Sequence, residues 1–254
     1  MQFPRVDRCP IDVYIASNMP YDYPYKLVKP KYVSQRIINS AITTIMDSGI
    51  GDDTTNAEVI DLATEYDTDF VVPCDELNDI EATVANIHEF MDIWGDSDCR
   101  ATPLIPLQPL NGTHIECYRR LDIDAAHYML GGIGGKSCEV STTDIMHTIE
   151  RFRQVDEKAS LHLLGAGADH KLMQWLSHPK RQTWIQSLDC STPEQCVING
   201  VVYDLSLQQR PFETLTGEDS SVSRYDLAKE LALILNDAIF DLFRTETQTV
   251  QTTL

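Results

Sequence analysis

The chain has 254 residues, with 39 Asp and Glu against 20 Lys and Arg, and a formal net charge of −19. Its apolar fraction of 43% is enough to build a core and excludes a chain that is disordered throughout. The charge argues against a protein that binds nucleic acid through a broad basic surface.

The acidic residues have a distinctive composition. Asp outnumbers Glu by 25 to 14, Arg outnumbers Lys by 12 to 8, and the acids are dispersed along the chain. Such a surface suits concentrated salt, where a Debye length of about 3 Å at 1 M screens self-repulsion. We therefore expect a protein of a high-salt cytoplasm. A partner that selects an acidic surface is the alternative.

The sequence offers no targeting, membrane or metal-binding signal. The segment 1–10 lacks the apolar stretch of a signal peptide, and no apolar run is long enough to span a membrane. The seven cysteines are odd in number and form no Cys-x-Cys or Cys-x-x-Cys pair. We expect reduced thiols, a cytoplasmic location, no membrane contact, no metal and no cofactor.

Short apolar runs alternate with amphipathic segments along most of the chain. Strands are predicted at 11–15, 43–46, 70–72, 104–107, 127–130, 161–164, 184–188 and, more weakly, 201–205. Helices are predicted at 55–66, 80–94, 142–155 and 224–243. This alternation predicts an α/β fold with a parallel sheet, and the economical form is a single-domain (β/α)8 TIM-like barrel over 1–244. A doubly wound open sheet is the alternative, and 245–254 is expected to be a frayed tail.

Polar residues and glycines follow the predicted strands. They are Asp47-Ser48-Gly49, Pro73-Cys74-Asp75-Glu76, Gln108, Gly131-Gly132, Gly165 and Asp189. In a barrel all these positions converge on the carboxyl-terminal face, where active sites of this fold lie. Any one Asp has an alternative role as a helix N-cap, and the glycines after 130 have one as a phosphate cradle. His162, inside an apolar run, is interpreted as a satisfied core histidine rather than a catalytic base.

Taken in order, these motifs resemble the tRNA-guanine transglycosylase superfamily over about 43–193. The matching motifs are Asp-Ser-Gly at 47–49, Pro-x-Asp-Glu at 73–76, Gln108, Tyr-Met-Leu-Gly-Gly at 128–132, Leu-His-Leu-Leu-Gly at 161–165 and Ser-Leu-Asp-Cys-Ser-Thr-Pro at 187–193. The resemblance implies a pentosyltransferase that exchanges guanine in a nucleic acid for a 7-deazaguanine, the chemistry behind queuosine and archaeosine.

The same resemblance implies roles for individual residues. Asp189 would be the nucleophile that attacks C1′ of the sugar, and Asp47 the general acid and base for the leaving and entering bases. The base would be held by Asp75, Gln108 and the backbone at Gly131 and Gly132, and substrate binding would include Ser48, Leu164 and Gly165. These roles agree with retaining glycosyl chemistry, which needs one carboxylate to trap the sugar and another to move a proton.

One departure of the sequence from the superfamily lies after Asp189. Members that act on tRNA carry a zinc subdomain with a Cys-x-Cys-x2-Cys run and a distant His, and nothing after Asp189 matches it. A zinc-free chain resembles the DNA-modifying branch of phages and archaeal viruses. We therefore expect exchange of guanine in DNA for a free base such as 7-cyano-7-deazaguanine (preQ0). A tRNA substrate and a catalytically idle, deazapurine-binding partner subunit are the alternatives.

An aromatic and basic segment lies early in the chain. It contains Lys26, Lys29 and Lys31 among Tyr21, Tyr23, Tyr25 and Tyr32. Basic side chains alternating with aromatic rings are typical of proteins that contact single-stranded nucleic acid. A surface loop that packs on the barrel is the alternative interpretation.

Overall fold

The computed structural model of the chain describes residues 9–49, 53–123, 125–131, 140–167, 169–203, 209–211 and 223–251, with the backbone alone for 209–211 and 245–251. Nine short parallel strands form one sheet: β1 Asp12–Ala16, β2 Tyr25–Val28, β3 Thr43–Met46, β4 Phe70–Val71, β5 Thr102–Pro103, β6 Ile105–Leu107, β7 His127–Leu130, β8 Ser160–Leu163 and β9 Ser187–Cys190. Their order is β5-β4-β3-β2-β1-β9-β8-β7-β6. The strands follow chain order round the sheet, without the reversal that marks a doubly wound fold.

The sheet is nearly closed, because its two end strands are consecutive in the chain. Only Leu104 separates β5 from β6, and its N–H donates to the Val71 carbonyl at 2.9 Å. β5 pairs with β4, whereas β6 pairs with β7. The protein is thus a single α/β domain built on a parallel, barrel-like sheet, as the alternation of elements predicts.

Most predicted strands form where the apolar runs lie, but one strand was not predicted and two predicted strands form differently. The segment 25–28 is a strand, although its aromatic and basic residues predict an exposed segment there. The predicted strand 184–188 forms later, as Ser187–Cys190, so Asp189 lies within the strand instead of after it. Val201–Tyr203 (β10) pairs antiparallel with Gln209–Pro211 (β11), outside the parallel sheet.

The helices are α1 Gln35–Ile38, α2 Asn56–Glu65, α3 Ile80–Gly95, α4 Ile115–Arg120, α5 Thr142–Val155, α6 His170–Leu176, α7 Thr192–Asn199 and α8 Arg224–Gln251. Capping boxes begin α2 at Thr55 and α5 at Ser141, and they fix the predicted starts of both helices. α8 continues past the predicted end at 243 and takes in much of the segment expected to be frayed.

Apolar side chains fill both sides of the sheet. An inner cluster comes from alternate positions of the strands and of their carboxyl-terminal junctions: Tyr14, Leu27, Ile45, Val72, Leu104 and Met129. Two larger clusters join the outer face of the sheet to the helices. Because the interior is packed, chemistry is confined to the ends of the strands.

Candidate functional site

The structure brings the predicted site residues together at the carboxyl ends of the strands. Asp47 and Ser48 follow β3, Asp75 lies beyond β4, and Gln108 follows β6. The remaining described members are Gly131 after β7, Leu164 and Gly165 after β8, and Asp189 near the end of β9. Gly132, and with it most of the glycine turn considered as a phosphate cradle, lies outside the described residues.

None of the three aspartates is the N-cap of a helix in the described part of the chain, so their alternative role as helix N-caps is wrong. Thr55 caps α2 and Asp79 caps α3, each through a side-chain hydrogen bond. The N-cap position of α7 is Ser191. Asp47, Asp75 and Asp189 are instead buried, and burying a carboxyl group is costly unless it is paired or protonated. Three buried carboxyl groups at one end of a sheet are typical of a functional site, where such a burial cost is retained.

Asp189 is held by two donors on the same oxygen. Its Oδ1 accepts from the Gly165 N–H at 2.7 Å and lies 3.2 Å from Nε2 of His162. Gly165 can present its N–H here because its backbone has a φ of +73°, which a side chain would disfavour. His162 is thus a buried, hydrogen-bonded histidine as predicted, but its partner is the candidate nucleophile.

Asp47 is poised to carry a proton. Burial is the main cause that raises the pKa of Asp47 to about 6, and the negative charge of Asp189 acts in the same direction. The ammonium of Lys29 and the Gly49 N–H oppose this rise in pKa. A carboxyl group with a pKa near the working pH can act as both acid and base.

Asp75 and Gln108 form the second polar pair. Gln108 Nε2 donates to Asp75 Oδ2, and both side chains are buried. Burial, followed by the charge of Asp47, raises the pKa of Asp75 to about 7. Gln108 Oε1 is buried and has no hydrogen-bond partner among the described residues. An orphaned buried acceptor beside a carboxyl group is suited to a ligand that brings its own donors.

Gly131 is fixed between Gln108 and a buried histidine. A Cβ added at Gly131 would lie 2.9 Å from Gln108 Nε2, so the amide packs directly on the glycine backbone. His114 Nε2 lies 2.7 Å from the Gly131 carbonyl oxygen, and burial lowers the pKa of His114 to about 4. A neutral His114 therefore donates to this carbonyl through Nε2. Sequence reasoning missed His114, whose only signal was its position shortly after Gln108.

Ser48 and Leu164 have structural contacts in this state. The Ser48 hydroxyl donates to the Pro73 carbonyl at 3.0 Å, which ties the segment after β3 to the segment after β4. Leu164 packs against the inner cluster, and its N–H donates to the Leu130 carbonyl at 3.1 Å. Both therefore hold the rim of the site in shape.

The aromatic and basic segment is only partly exposed, and its exposed members are Lys31 and Tyr32. Tyr21, Tyr23 and Lys26 are buried, and Lys26 Nζ donates to the Met19 carbonyl and to Ser40 Oγ, each at 2.8 Å. Burial lowers the pKa of Lys26 to about 7. The surface-loop alternative is wrong for 25–28, which is a strand of the sheet. Lys29 is the member that reaches the site, through its charge on Asp47.

Three arginines elsewhere in the described chain make local contacts. Arg120 pairs with Glu81 and Glu116, and Arg153 donates to the Trp184 carbonyl. Arg181 lies over the Trp175 ring, 4.5 Å from its centroid. Lys29 and Lys31 follow β2 and therefore lie at the carboxyl end of the sheet, on the same side as the site residues.

Within the described residues, no group of three or more His, Cys, Asp or Glu side chains is arranged to hold a metal ion. Every cysteine in the described part of the chain is a free thiol. None of the helices described here has the length and apolar character needed to cross a membrane. No protein-family model matches the chain, and no curated protein matches it either.

Proposed function

We propose that this protein is a DNA-guanine transglycosylase that exchanges guanine for a 7-deazaguanine such as preQ0. The observation that supports it most is that three buried carboxyl groups at one end of the sheet have different environments. Asp189 is anchored by hydrogen bonds to its Oδ1, whereas Asp47 and Asp75 have pKa values raised to about 6 and about 7. Retaining base exchange needs these roles: a nucleophile, a proton carrier and a recognition group.

In the proposed reaction Asp189 attacks C1′ as the bond from C1′ to the leaving guanine breaks. Asp47, protonated at this stage, gives its proton to the departing base. A free 7-deazaguanine then enters, its ring nitrogen bonds to C1′, and the ester to Asp189 breaks with both electrons returning to the carboxylate. Asp47 takes up the proton that the entering base loses, so the cycle ends as it began.

Base recognition would fall to Asp75, Gln108 and Gly131. A guanine-like edge presents N–H donors, and it can bring them to the Asp75 carboxylate and to the orphaned Gln108 Oε1. The absence of a side chain on Gly131 keeps this wall flat, since a Cβ there would push Gln108 aside. The pair thus favours guanine and its deaza analogues over adenine, which presents a different pattern of donors and acceptors.

The finer architecture belongs to the same proposal. Counting β5 and β6 as two halves of one strand, interrupted at Leu104, gives eight parallel strands and a (β/α)8 barrel. We propose that this barrel acts without the zinc subdomain of the tRNA enzymes, in the high-salt cytoplasm of a halophile or of a virus-infected host.

A duplex substrate would have to present its target nucleotide outside the base stack. Flipping the nucleotide out would cost about a few kcal/mol, which single-stranded DNA would not require.

The test is a base-exchange assay in molar potassium chloride. Radiolabelled guanine or preQ0 is offered with single-stranded DNA, duplex DNA and tRNA side by side, and folding is checked by circular dichroism. We expect label to enter DNA. Folded protein that labels none of the three substrates would overturn the enzymatic proposal, and label in tRNA alone would replace DNA by tRNA as the substrate.

A further inference from the structure

The two carboxylate oxygens of Asp189 have different surroundings. Oδ1 receives the Gly165 N–H at 2.7 Å and faces His162 Nε2 at 3.2 Å. No described donor is within hydrogen-bond distance of Oδ2. The carboxylate is therefore anchored through one oxygen and presents the other.

The protonation pattern of His162 follows from its two partners. An ionised carboxylate only accepts hydrogen bonds, so His162 Nε2 carries the proton that faces Asp189. On the other side of the ring, Nδ1 lies 2.9 Å from Ser187 Oγ. The Ser187 hydroxyl can donate to Nδ1 when that nitrogen carries no proton, and such a bond favours the Nε2–H form of the ring.

The sheet holds this histidine rigidly. His162 on β8 is the register partner of Ser187 on β9, and Asp189 lies two residues further along the same face of β9. The ring of Tyr14 meets the imidazole edge-on, with 5.7 Å between centroids, and only 1% of His162 is exposed. The donor to Asp189 is thus fixed by strand register and not by a mobile loop.

We propose that His162 is a positioning residue that, with the Gly165 N–H, reserves Oδ1 of Asp189 as the anchored oxygen and leaves Oδ2 to attack C1′. This inference rests on the proposed base exchange. When the bond from Oδ2 to C1′ forms and the bond from C1′ to the base breaks, Oδ1 becomes the ester carbonyl oxygen. When the ester breaks, the bonding electrons return to the carboxylate, and the two donors stabilise the charge that reappears on Oδ1.

This arrangement predicts an asymmetric effect on the two half-reactions. Loss of the His162 donor removes stabilisation from the departing carboxylate, so release of the sugar to the entering base slows. Removing one donor to a developing negative charge typically costs about 10²-fold or more in rate. Binding of the free base is spared, since Asp75 and Gln108 follow other strands, β4 and β6.

The experiment compares His162→Leu and His162→Gln with wild type. The covalent protein–DNA adduct is trapped without free base, and its breakdown is timed after excess preQ0 is added. We expect His162→Leu to slow breakdown about 10²-fold with the KM for preQ0 unchanged, and His162→Gln, which keeps an N–H donor, to recover most of the rate. Adduct should accumulate in the Leu variant during steady-state exchange.

The matched control is His127→Leu. His127 lines the same cavity of about 220 Å³ at the amino end of the sheet as His162 does, but it packs on Phe70 and does not touch Asp189. Wild-type breakdown in folded His162→Leu, or equal slowing in the His127 control, overturns the positioning role. Failure of the base-exchange proposal is separate, because wild type would then form no adduct at all.

A second measurement, on the wild-type protein, tests the proposal even if His162→Leu does not fold. The ¹⁵N shifts of labelled histidine in the wild-type protein report the tautomer of His162 directly. The Nε2–H form is expected. The Nδ1–H form would place the donor toward Ser187 and overturn the assignment.

Discussion

Gln108 donates to Asp75 from the neighbouring strand end, and its own carbonyl oxygen is left buried without a partner among the described residues. The pair is thus incomplete in the free protein. Because Asp75 is buried, it is more easily protonated in the folded chain than in the unfolded one, and its pKa rises from 3.8 to about 7. This difference between the folded and unfolded pKa of Asp75 makes the stability of the protein depend on pH.

Asp75→Asn should stabilise the free protein at high pH. A carboxyl group with a raised pKa contributes most to stability when it is protonated, below the unfolded pKa near 4, and this contribution is lost as pH rises through about 7. The free energy of unfolding of the variant should exceed that of wild type by on the order of 1–4 kcal/mol at pH 8, with the difference vanishing near pH 4. Urea unfolding at several pH values measures it, and equal pH dependence in both proteins would contradict it.

Asp189→Ala and Asp47→Asn should fail at different steps. Without its nucleophile, Asp189→Ala should form no covalent adduct and lose exchange by more than about 10³-fold. Asp47→Asn keeps the nucleophile but cannot protonate the leaving base, so adduct formation should slow by about 10² to 10⁴-fold.

Denaturing gels of protein bound to labelled DNA separate the two outcomes. Asp79→Asn is the matched control, because Asp79 caps α3 and Asn is an equally good N-cap. Full activity in Asp189→Ala would reject its role as nucleophile.

Lys29→Met should move the pH profile of adduct formation to higher pH. Adduct formation needs Asp47 protonated, so in wild type its rate should fall as pH rises through about 6. The Lys29 ammonium lowers the pKa of Asp47, and removing this charge raises it. The midpoint of the falling limb should therefore rise in single-turnover assays across pH 5 to about 8. An unchanged or lowered midpoint would show that Lys29 does not tune Asp47.

Gly131→Ala should weaken binding of the free base more than it weakens the fold. The new Cβ would lie 2.9 Å from Gln108 Nε2 and would displace the amide from Asp75. We expect the KM for preQ0 to rise by about 10-fold or more, with Tm lowered by only a few degrees, roughly the cost of mild overpacking. Gly95→Ala is the control, since a Cβ at Gly95 meets nothing within 4 Å. Equal KM values in both variants would contradict a close fit at Gly131.

The sequence predicted the parts of the fold that depend on local pattern. The helices from Ile80 and from Thr142 appear where period and caps place them, since capping groups act within a few residues. The convergence of Asp47, Asp75, Gln108 and Asp189 followed from one rule about parallel strands.

What the sequence could not reveal depends on contacts between distant segments. The sequence pattern predicts Lys26 as a surface base, yet it is buried in β2 because Ser40 and the Met19 carbonyl lie where its ammonium needs partners. Lysine is almost never fully buried without such partners, so its local pattern does not predict a strand. The pattern likewise predicts His162 as a core residue, since nothing local reveals that the register of β8 and β9 places it beside Asp189.

The nearly closed sheet places Asp75 and Asp189 on opposite sides of the barrel. β4 and β9 are separated by β3, β2 and β1 in one direction and by the β5–β6 junction, β7 and β8 in the other. In the proposed reaction, the choice of base and the attack on the sugar would therefore fall to segments that share no strand pairing. Substitutions around Leu104 and Gln108 would then change which heterocycle is accepted and leave the covalent step intact.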